Sequence, residues 1–215
     1  MTQRGTNQRH RRGILFVISG PSGVGKTSIC RQVVAVMSDV TQSVSYTTRS
    51  PRPQECHGRE YHFIAHDAFQ QRIANGEFLE WAQVHGNLYG TSRQQIDDTT
   101  QAGLDVLLAI DVQGATQLRA SDLNAVFVFL IPPSWEALTA RLQQRGSETS
   151  EAQKQRLAVA RGELGRYTEY DYVVRNDHLT TAADVLKSII MAERHHVKRM
   201  QAESIDDLLA ATAFK

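Results

Sequence analysis

A glycine-rich segment near the start of the chain carries the strongest chemical signal in the sequence. It reads Gly20, Pro21, Ser22, Gly23, Val24, Gly25, Lys26 and Thr27, and it satisfies the phosphate-binding pattern G-x-x-x-x-G-K-[ST]. Glycines let successive backbone N–H groups converge on phosphate oxygens, and the N-terminus of a following helix adds positive partial charge. Lys26 is therefore predicted to reach the β and γ phosphates of a nucleoside triphosphate, and the Thr27 hydroxyl is predicted to bind Mg²⁺.

A second group of residues could hold the phosphate of an acceptor. Arg49 and Arg52 flank Pro51 in the run S-Y-T-T-R-S-P-R, and Tyr61 and Tyr89 follow. Guanidinium forks match phosphate geometry bidentately, and tyrosine hydroxyls donate beside them. Taken alone, each of these residues is more often a surface or packing residue. Together with an intact phosphate-binding loop they indicate a clamp for a second phosphate.

Buried strands are needed to position these residues. Unbroken apolar runs predict strands at residues 14–20, 105–111, 125–131 and 171–174. Helical patterns are predicted at residues 27–37, 67–75, 135–145, 151–164 and 181–200. Strands that alternate with helices indicate an α/β fold, in which a parallel sheet is flanked by helices.

The polar alternation between the first helix and the second buried strand is different. Residues 43–91 carry short runs rich in Tyr, Thr and Phe, separated by Gly and Pro turns, which predicts a small β-rich insertion. Residues 141–165 are predicted to form a helical lid. The core then comprises residues 14–42, 92–140 and 166–215, and residues 1–13 form a basic N-terminal arm that is expected to be disordered.

Composition narrows the function further. The chain has 215 residues, 41% of them hydrophobic, and a net charge of +1, so the overall charge indicates neither a nucleic-acid partner nor a membrane surface. The two cysteines, Cys30 and Cys56, have neither metal-ligand nor disulfide spacing. No apolar run approaches the length of a bilayer span, so a cytoplasmic protein is predicted, with homo-oligomerisation left open.

The order and spacing of these motifs resemble the guanylate kinases. The similarity includes G-P-S-G-V-G-K-T, S-Y-T-T-R-S-P-R, G-R-E-Y-H-F, F-L-E-W-A-Q-V-H-G-N-L-Y-G-T-S, I-D-V-Q-G-A, R-L-Q-Q-R-G and Y-D-Y-V-V-R-N-D. It covers nearly the whole chain after the arm. The resemblance implies a P-loop kinase core with a GMP-binding insertion and a lid, and it implies transfer of the terminal phosphate of ATP to GMP, and to dGMP, with Mg²⁺ as cofactor.

The resemblance also implies roles for individual residues. GMP would be bound through its phosphate by Arg49, Arg52, Tyr61 and Tyr89, and through its guanine by Ser45, Glu80, Thr91 and Asp111. Arg145 and Arg156 would close over the transferred phosphate, so that the catalytic residues would be Lys26, Arg49, Arg145 and Arg156. ATP would be bound by residues 20–27, with Asn176 near the adenine.

Two departures and two alternatives accompany this interpretation. Ala109 stands where the family usually has an acidic residue two positions before Asp111, and Gln54 stands where it often has Gly. One alternative is a non-catalytic module of the same fold that binds a phosphorylated protein segment. The other is a P-loop kinase with an acceptor other than GMP. The intact Gly25-Lys26-Thr27 argues against the first alternative. Ser45 and Glu80 are the residues that distinguish a GMP kinase from the second.

Overall fold

The computed structural model describes residues 11–84, 86–121, 123–143 and 150–199. Its strands are β1 (Leu15–Ser19), β2 (Val40–Gln42), β3 (Tyr46–Thr47), β4 (His62–Phe63), β5 (Phe78–Val84), β6 (Asn87–Ser92), β7 (Asp105–Ala109), β8 (Ala125–Ile131) and β9 (Tyr172–Arg175). The helices are α1 (Lys26–Val34), α2 (His66–Ala74), α3 (Arg93–Gln101), α4 (Val112–Arg119), α5 (Trp135–Gln143), α6 (Ser150–Leu164) and α7 (Leu179–Arg194). Within these ranges no helix is both long enough and apolar enough to cross a membrane.

The main sheet is parallel and central to the fold. Its order is β2–β7–β1–β8–β9, so β1 lies in the middle with β7 and β8 on either side. Alternate residues of β1 belong to opposite halves of the core. Phe16 and Ile18 cluster with α1 and α7, whereas Leu15 and Val17 cluster with α3 and α4. The sheet is therefore covered on both faces, which explains why β1 is an unbroken apolar run.

The predicted α/β fold is confirmed, although three elements escaped the sequence analysis. Strand β2 is a three-residue edge strand, too short for a recognisable pattern. Helix α3 is mostly polar and buries only Ile96 and Thr100, and α4 spans eight residues and contains Gly114. Helix α7 ends at Arg194, earlier than predicted, and a short 3₁₀ turn follows at Val197–Arg199.

A second sheet lies within the segment between α1 and β7. Its order is β4–β3–β6–β5, with β5 and β6 forming an antiparallel hairpin and β3 pairing with both β4 and β6. Helix α2 packs on it through Phe69, which is in contact with Phe78 and Leu88. The small separate core explains why this segment carries short alternating runs rather than long apolar ones.

A buried carboxylate connects the segment before β1 to the end of α7. The side chain of Asp105, at the start of β7, is fully buried and accepts hydrogen bonds from Arg11 at 2.6 and 3.0 Å, from the Ile14 N–H at 2.7 Å and from Arg194 Nε at 2.7 Å. Arg194 also pairs with Asp39 at 2.7 Å. Arg11 belongs to the predicted basic arm, of which residues 1–10 lie outside the described residues. In this structure Arg11 therefore contacts the core.

We expect Asp105→Asn to lower the free energy of unfolding by about 3 kcal/mol, because it removes one member of a buried charged cluster and leaves its arginine partners without their counter-charge. Urea unfolding measures the difference. Asp97→Asn is the matched control, since Asp97 pairs with Arg12 at 3.3 Å at an exposed position, and its loss should cost less than about 1 kcal/mol. Equal effects of the two substitutions would contradict the role assigned to Asp105.

Candidate active site

The glycine-rich loop connects β1 to α1 at the carboxyl edge of the main sheet. Gly20 and Gly25 have φ angles of 141° and 103°. A Cβ at Gly20 would lie 2.4 Å from the Leu130 carbonyl oxygen, and one at Gly25 would overlap the side-chain amide of Asn176. Gly25 is also the N-cap of α1 and supplies no side-chain cap. The first N–H groups of α1 therefore remain available to an anion.

Two charged side chains determine the electrostatics of the loop: Lys26 within it and Glu163 on α6. Lys26 Nζ donates to the carbonyls of Gly20 at 2.7 Å and Pro21 at 3.3 Å, so the ammonium curls back over the loop. Glu163 of α6 lies against the loop, where it accepts the backbone N–H of Ser22. Burial raises the pKa of Glu163, the charge of Asp111 raises it as well, and Lys26 together with the N–H of Ser22 opposes the rise. Thr27 is exposed on the first turn of α1.

Asn176 holds the loop from the connection between β9 and α7. Its side-chain Nδ2 donates to the Val24 carbonyl at 2.7 Å, and its backbone N–H donates to Ile131 at 2.9 Å. The residue is 5% exposed. Its amide group is therefore committed to the conformation of the phosphate-binding loop.

The predicted phosphate clamp is assembled on the second sheet. The Arg49 guanidinium carbon lies 5.5 Å from the Tyr61 ring centre, and the Tyr61 and Tyr89 rings are 5.9 Å apart. Burial raises the pKa of Tyr61, so its hydroxyl remains a neutral donor at physiological pH. The Arg52 side chain is 69% exposed and extends from the same segment. The structure thus brings the predicted residues together around one guanidinium.

Glu55 is a member of this cluster that the sequence analysis missed. Both of its carboxylate oxygens lie 2.9 Å from the terminal nitrogen of Arg49, and one accepts the backbone N–H of Arg52 at 2.8 Å. Arg49 also donates to the Ser50 carbonyl at 2.7 Å. Glu55 and the Ser50 carbonyl together hold the Arg49 guanidinium in one orientation. The sequence signal for this role was its spacing, because Glu55 is an acidic residue only three positions after Arg52.

Glu80 is a buried carboxyl on the inward face of β5. It is 5% exposed, between the inward-facing Phe78 and Ala82, and it accepts a hydrogen bond from Thr91 Oγ1 at 2.5 Å across the β5–β6 pair. Burial raises the pKa of Glu80 to about 7, against the Thr91 hydrogen bond and together with the negative charge of Asp111. This carboxyl can accept two donors from a ligand once it has lost its proton.

Asp111 connects the buried carboxyl to the loop. It follows β7 and is the N-cap of α4, where one oxygen accepts the Gly114 N–H at 2.8 Å. Its charge acts on both Glu80 and Glu163, so it lies between the second sheet and the phosphate-binding loop. Ala109, two residues earlier, packs against the hydrophobic core. The position at which the resemblance implies an acidic residue is thus apolar and part of the sheet here.

The remaining predicted residues are placed less directly. The carbonyl of Ser45 accepts the His62 N–H at 2.9 Å, which places Ser45 beside β3 and β4. Arg156 is half-buried on α6, and Arg145 lies outside the described residues. In the described part of the chain no three His, Cys, Asp or Glu side chains form a group that could hold a metal by themselves. The residues present instead fit a Mg²⁺ ion that would be bound mainly by nucleotide phosphates, with one protein hydroxyl such as that of Thr27.

Comparison with known proteins identifies relatives across most of the chain. The family model "Guanylate kinase" matches residues 12–193. The guanylate kinase of Dechloromonas aromatica is 51% identical over 84% of this chain and 89% of its own, and that of Geobacter sulfurreducens is 44% identical over 88% and 94%. The crystal structure of guanylate kinase from Anaplasma phagocytophilum superposes with a TM-score of 0.74 at 32% identity, covering 88% of this chain and 90% of that one. With this coverage by both sequence and fold, the chain belongs to the guanylate kinase family.

Proposed function

We propose that this protein transfers the terminal phosphate of ATP to GMP, which yields ADP and GDP, and that it serves purine nucleotide metabolism in the cytoplasm. The observation that carries the proposal is the buried carboxyl of Glu80, held by Thr91 within the same site as an intact phosphate-binding loop. The loop accounts for the donor, and the carboxyl accounts for the choice of acceptor.

Guanine is the base that complements an ionised Glu80. Its N1–H and its exocyclic N2 amine are both donors on one edge, and a carboxylate is an acceptor with two oxygens. Adenine presents an acceptor at N1, which would leave a buried charge unpaired, and sites of this kind reject the wrong ligand strongly. Thr91, Asp111 and Ser45 complete the proposed guanine contacts. The deoxyribose form of the nucleotide presents the same base, so dGMP is included among the acceptors.

The clamp is proposed to bind and align the phosphate of GMP. Arg49 is held by Glu55, and its guanidinium lies over the rings of Tyr61 and Phe63. The guanidinium is therefore oriented before a ligand arrives. Arg52 is exposed and pairs with Glu55 only at 3.9 Å, so it could turn towards the phosphate, and Tyr89 lies beside Tyr61. Fixing the acceptor in this way aligns its phosphate oxygen with the γ phosphorus, and alignment supplies much of the rate in phosphoryl transfer.

ATP is proposed to bind at residues 20–27. Backbone N–H groups of the loop would hold the β and γ phosphates, Lys26 would turn from the loop carbonyls to the phosphate oxygens, and Asn176 would lie near the adenine. Thr27 would hold Mg²⁺, which shields phosphate charge when bound. Arg145 and Arg156 are proposed to close over the transferred group.

The chemistry then requires no nucleophile from the protein. An oxygen of the GMP phosphate forms a bond to the γ phosphorus as the bond from that phosphorus to the bridging oxygen of ADP breaks. Lys26 and the arginines stabilise the charge that develops on the transferred group. Lys26 and the loop have no role in a module that only binds a phosphorylated segment, so the non-catalytic alternative gains no support from the site.

A coupled assay of ADP formation with each of the four nucleoside monophosphates tests the function. We expect turnover with GMP and, in Lys26→Ala, a loss of about 10³-fold in kcat with circular dichroism unchanged, because the transferred phosphate loses its main counter-charge. Preference for another nucleotide would refute the assigned acceptor. Near-normal turnover in Lys26→Ala would refute the kinase mechanism.

Arg49→Met should raise the KM for GMP and lower kcat together, by about 10²-fold in kcat/KM, since the clamp both binds the acceptor and aligns its attacking oxygen. The KM for ATP should stay unchanged. Arg59→Met is the control, because Arg59 is 64% exposed in the same segment, where it pairs with Glu60 and donates to the Gln54 carbonyl at 3.0 Å. A change confined to the KM for ATP would show that Arg49 serves the donor instead.

The pKa of about 7 at Glu80 predicts a specific pH dependence. Below that pH the carboxyl is protonated and must lose a proton before it can accept two hydrogen bonds from guanine, so kcat/KM for GMP should fall about tenfold per pH unit below 7. Glu80→Gln should lack this slope and keep only the dependence due to the GMP phosphate, which titrates near pH 6. Identical profiles in the two proteins would exclude Glu80 as the titrating group.

A further inference from the structure

Strand β5 is fixed to helix α4 at the residue next to Glu80. The side-chain amide of Gln117 donates to the Trp81 carbonyl at 2.7 Å, and its Oε1 accepts the Trp81 N–H at 3.3 Å. Gln117 thus satisfies both backbone groups of one residue of β5. Gly114 lies three positions earlier in α4, on the same face of the helix. The contact therefore brings the first turn of α4 against Glu80.

Gly114 leaves the space that the Glu80 carboxylate occupies. A Cβ built on Gly114 would lie 2.5 Å from Glu80 Oε2 and 3.2 Å from its Cδ. The φ angle of Gly114 is not among the positive ones of this chain, so its backbone is one that alanine adopts easily. The N–H of Gly114 is already bound by Asp111. What glycine provides at this position is the absence of a side chain.

The other side of the carboxylate is equally constrained. Glu80 Oε1 accepts the hydroxyl of the fully buried Thr91 at 2.5 Å, and Glu80 itself is 5% exposed. The carboxylate is therefore confined between a hydroxyl on β6 and the bare backbone of α4. A methyl group on Gly114 would have to displace Oε2 by roughly 1 Å to restore an ordinary contact distance.

We propose that Gly114 is a positioning residue that sets the specificity for guanine, because it leaves room for the Glu80 carboxylate in the orientation that receives the base. This rests on the proposed function, in which Glu80 binds guanine. Gly114 touches neither substrate in this account. It acts through Glu80 alone, and the effect of filling its space should depend on the presence of that carboxylate.

The test is Gly114→Ala, assayed for GMP phosphorylation and for the KM of each substrate. We expect kcat/KM for GMP to fall by about 10²-fold, with the KM for GMP raised and the KM for ATP changed by less than about twofold, as a displacement of about 1 Å produces at a reacting site. Gln113→Ala, at the exposed neighbouring position of the same helix, controls for any change to the first turn of α4 and should retain wild-type kinetics.

A double-variant cycle separates positioning from a general distortion of α4. In a Glu80→Ala background the added methyl has no carboxylate to displace, so Gly114→Ala should change kcat/KM for GMP by less than about threefold there. An equal loss in both backgrounds would overturn the proposal, and so would wild-type kinetics in the Gly114→Ala single variant.

Stability measurements keep the test decisive if the single variant folds poorly. Gly162→Ala is also a helical Gly-to-Ala change, and the added methyl would meet nothing within 4 Å beyond its own helical backbone. Its melting temperature gives the effect of that change alone. If Gly114→Ala lowers the melting temperature and Gly162→Ala does not, the combined variant Gly114→Ala/Glu80→Ala should regain the lost melting temperature. A combined variant that stays as unstable as Gly114→Ala would overturn the proposal. A wild-type protein without activity on GMP would refute the proposed function itself, which is a separate and distinguishable result.

Discussion

The close approach of the phosphate-binding loop to its neighbours is the constraint on which the site depends. No side chain fits at Gly20 beside Leu130, or at Gly25 beside Asn176. The loop can be this tight only because β1 lies in the centre of the sheet, with β8 supplying the Leu130 backbone on one side and the β9–α7 connection supplying Asn176. The order of strands and the glycine spacing are therefore two aspects of one requirement, which is a loop whose N–H groups converge on a single point.

Charge is arranged in two distinct ways around this loop. On the second sheet, arginine charge is balanced locally, since Glu55 engages Arg49 and the backbone of Arg52. Closer to the loop, Glu80, Asp111 and Glu163 place several carboxyls in a partly buried region with Lys26 as the nearby cation. Burial disfavours the charged form of Glu80 and is the main reason its pKa is raised, and the nearby charge of Asp111 adds to the effect. The carboxyl of Glu80 can therefore gain or lose a proton near neutral pH.

The sequence was informative wherever a residue type is uniquely suited to a local geometry. The phosphate-binding loop, the long buried strands and the clamp arginines were predicted because glycine spacing, apolar runs and guanidinium chemistry are readable without tertiary structure. Glu55, Glu163 and Gly114 were not, because each matters through a contact with a residue distant in sequence or through the space it leaves empty. Helix α3 was missed for a related reason, since its polar sequence has almost no apolar stripe and its position depends on β7.

The buried carboxylate of Asp105 also governs the order in which the core can be completed. Its partners Arg11 and Arg194 lie 94 and 89 residues away along the chain, in opposite directions. During synthesis, β7 emerges from the ribosome long before α7. For that interval the carboxylate has only its N-terminal partners, and one of the two helices that cover the same face of β1 is missing. Contacts of such long range slow folding and leave apolar surface exposed in the meantime. The hydrogen-bonded cluster around Asp105 is therefore complete only after α7 has been translated.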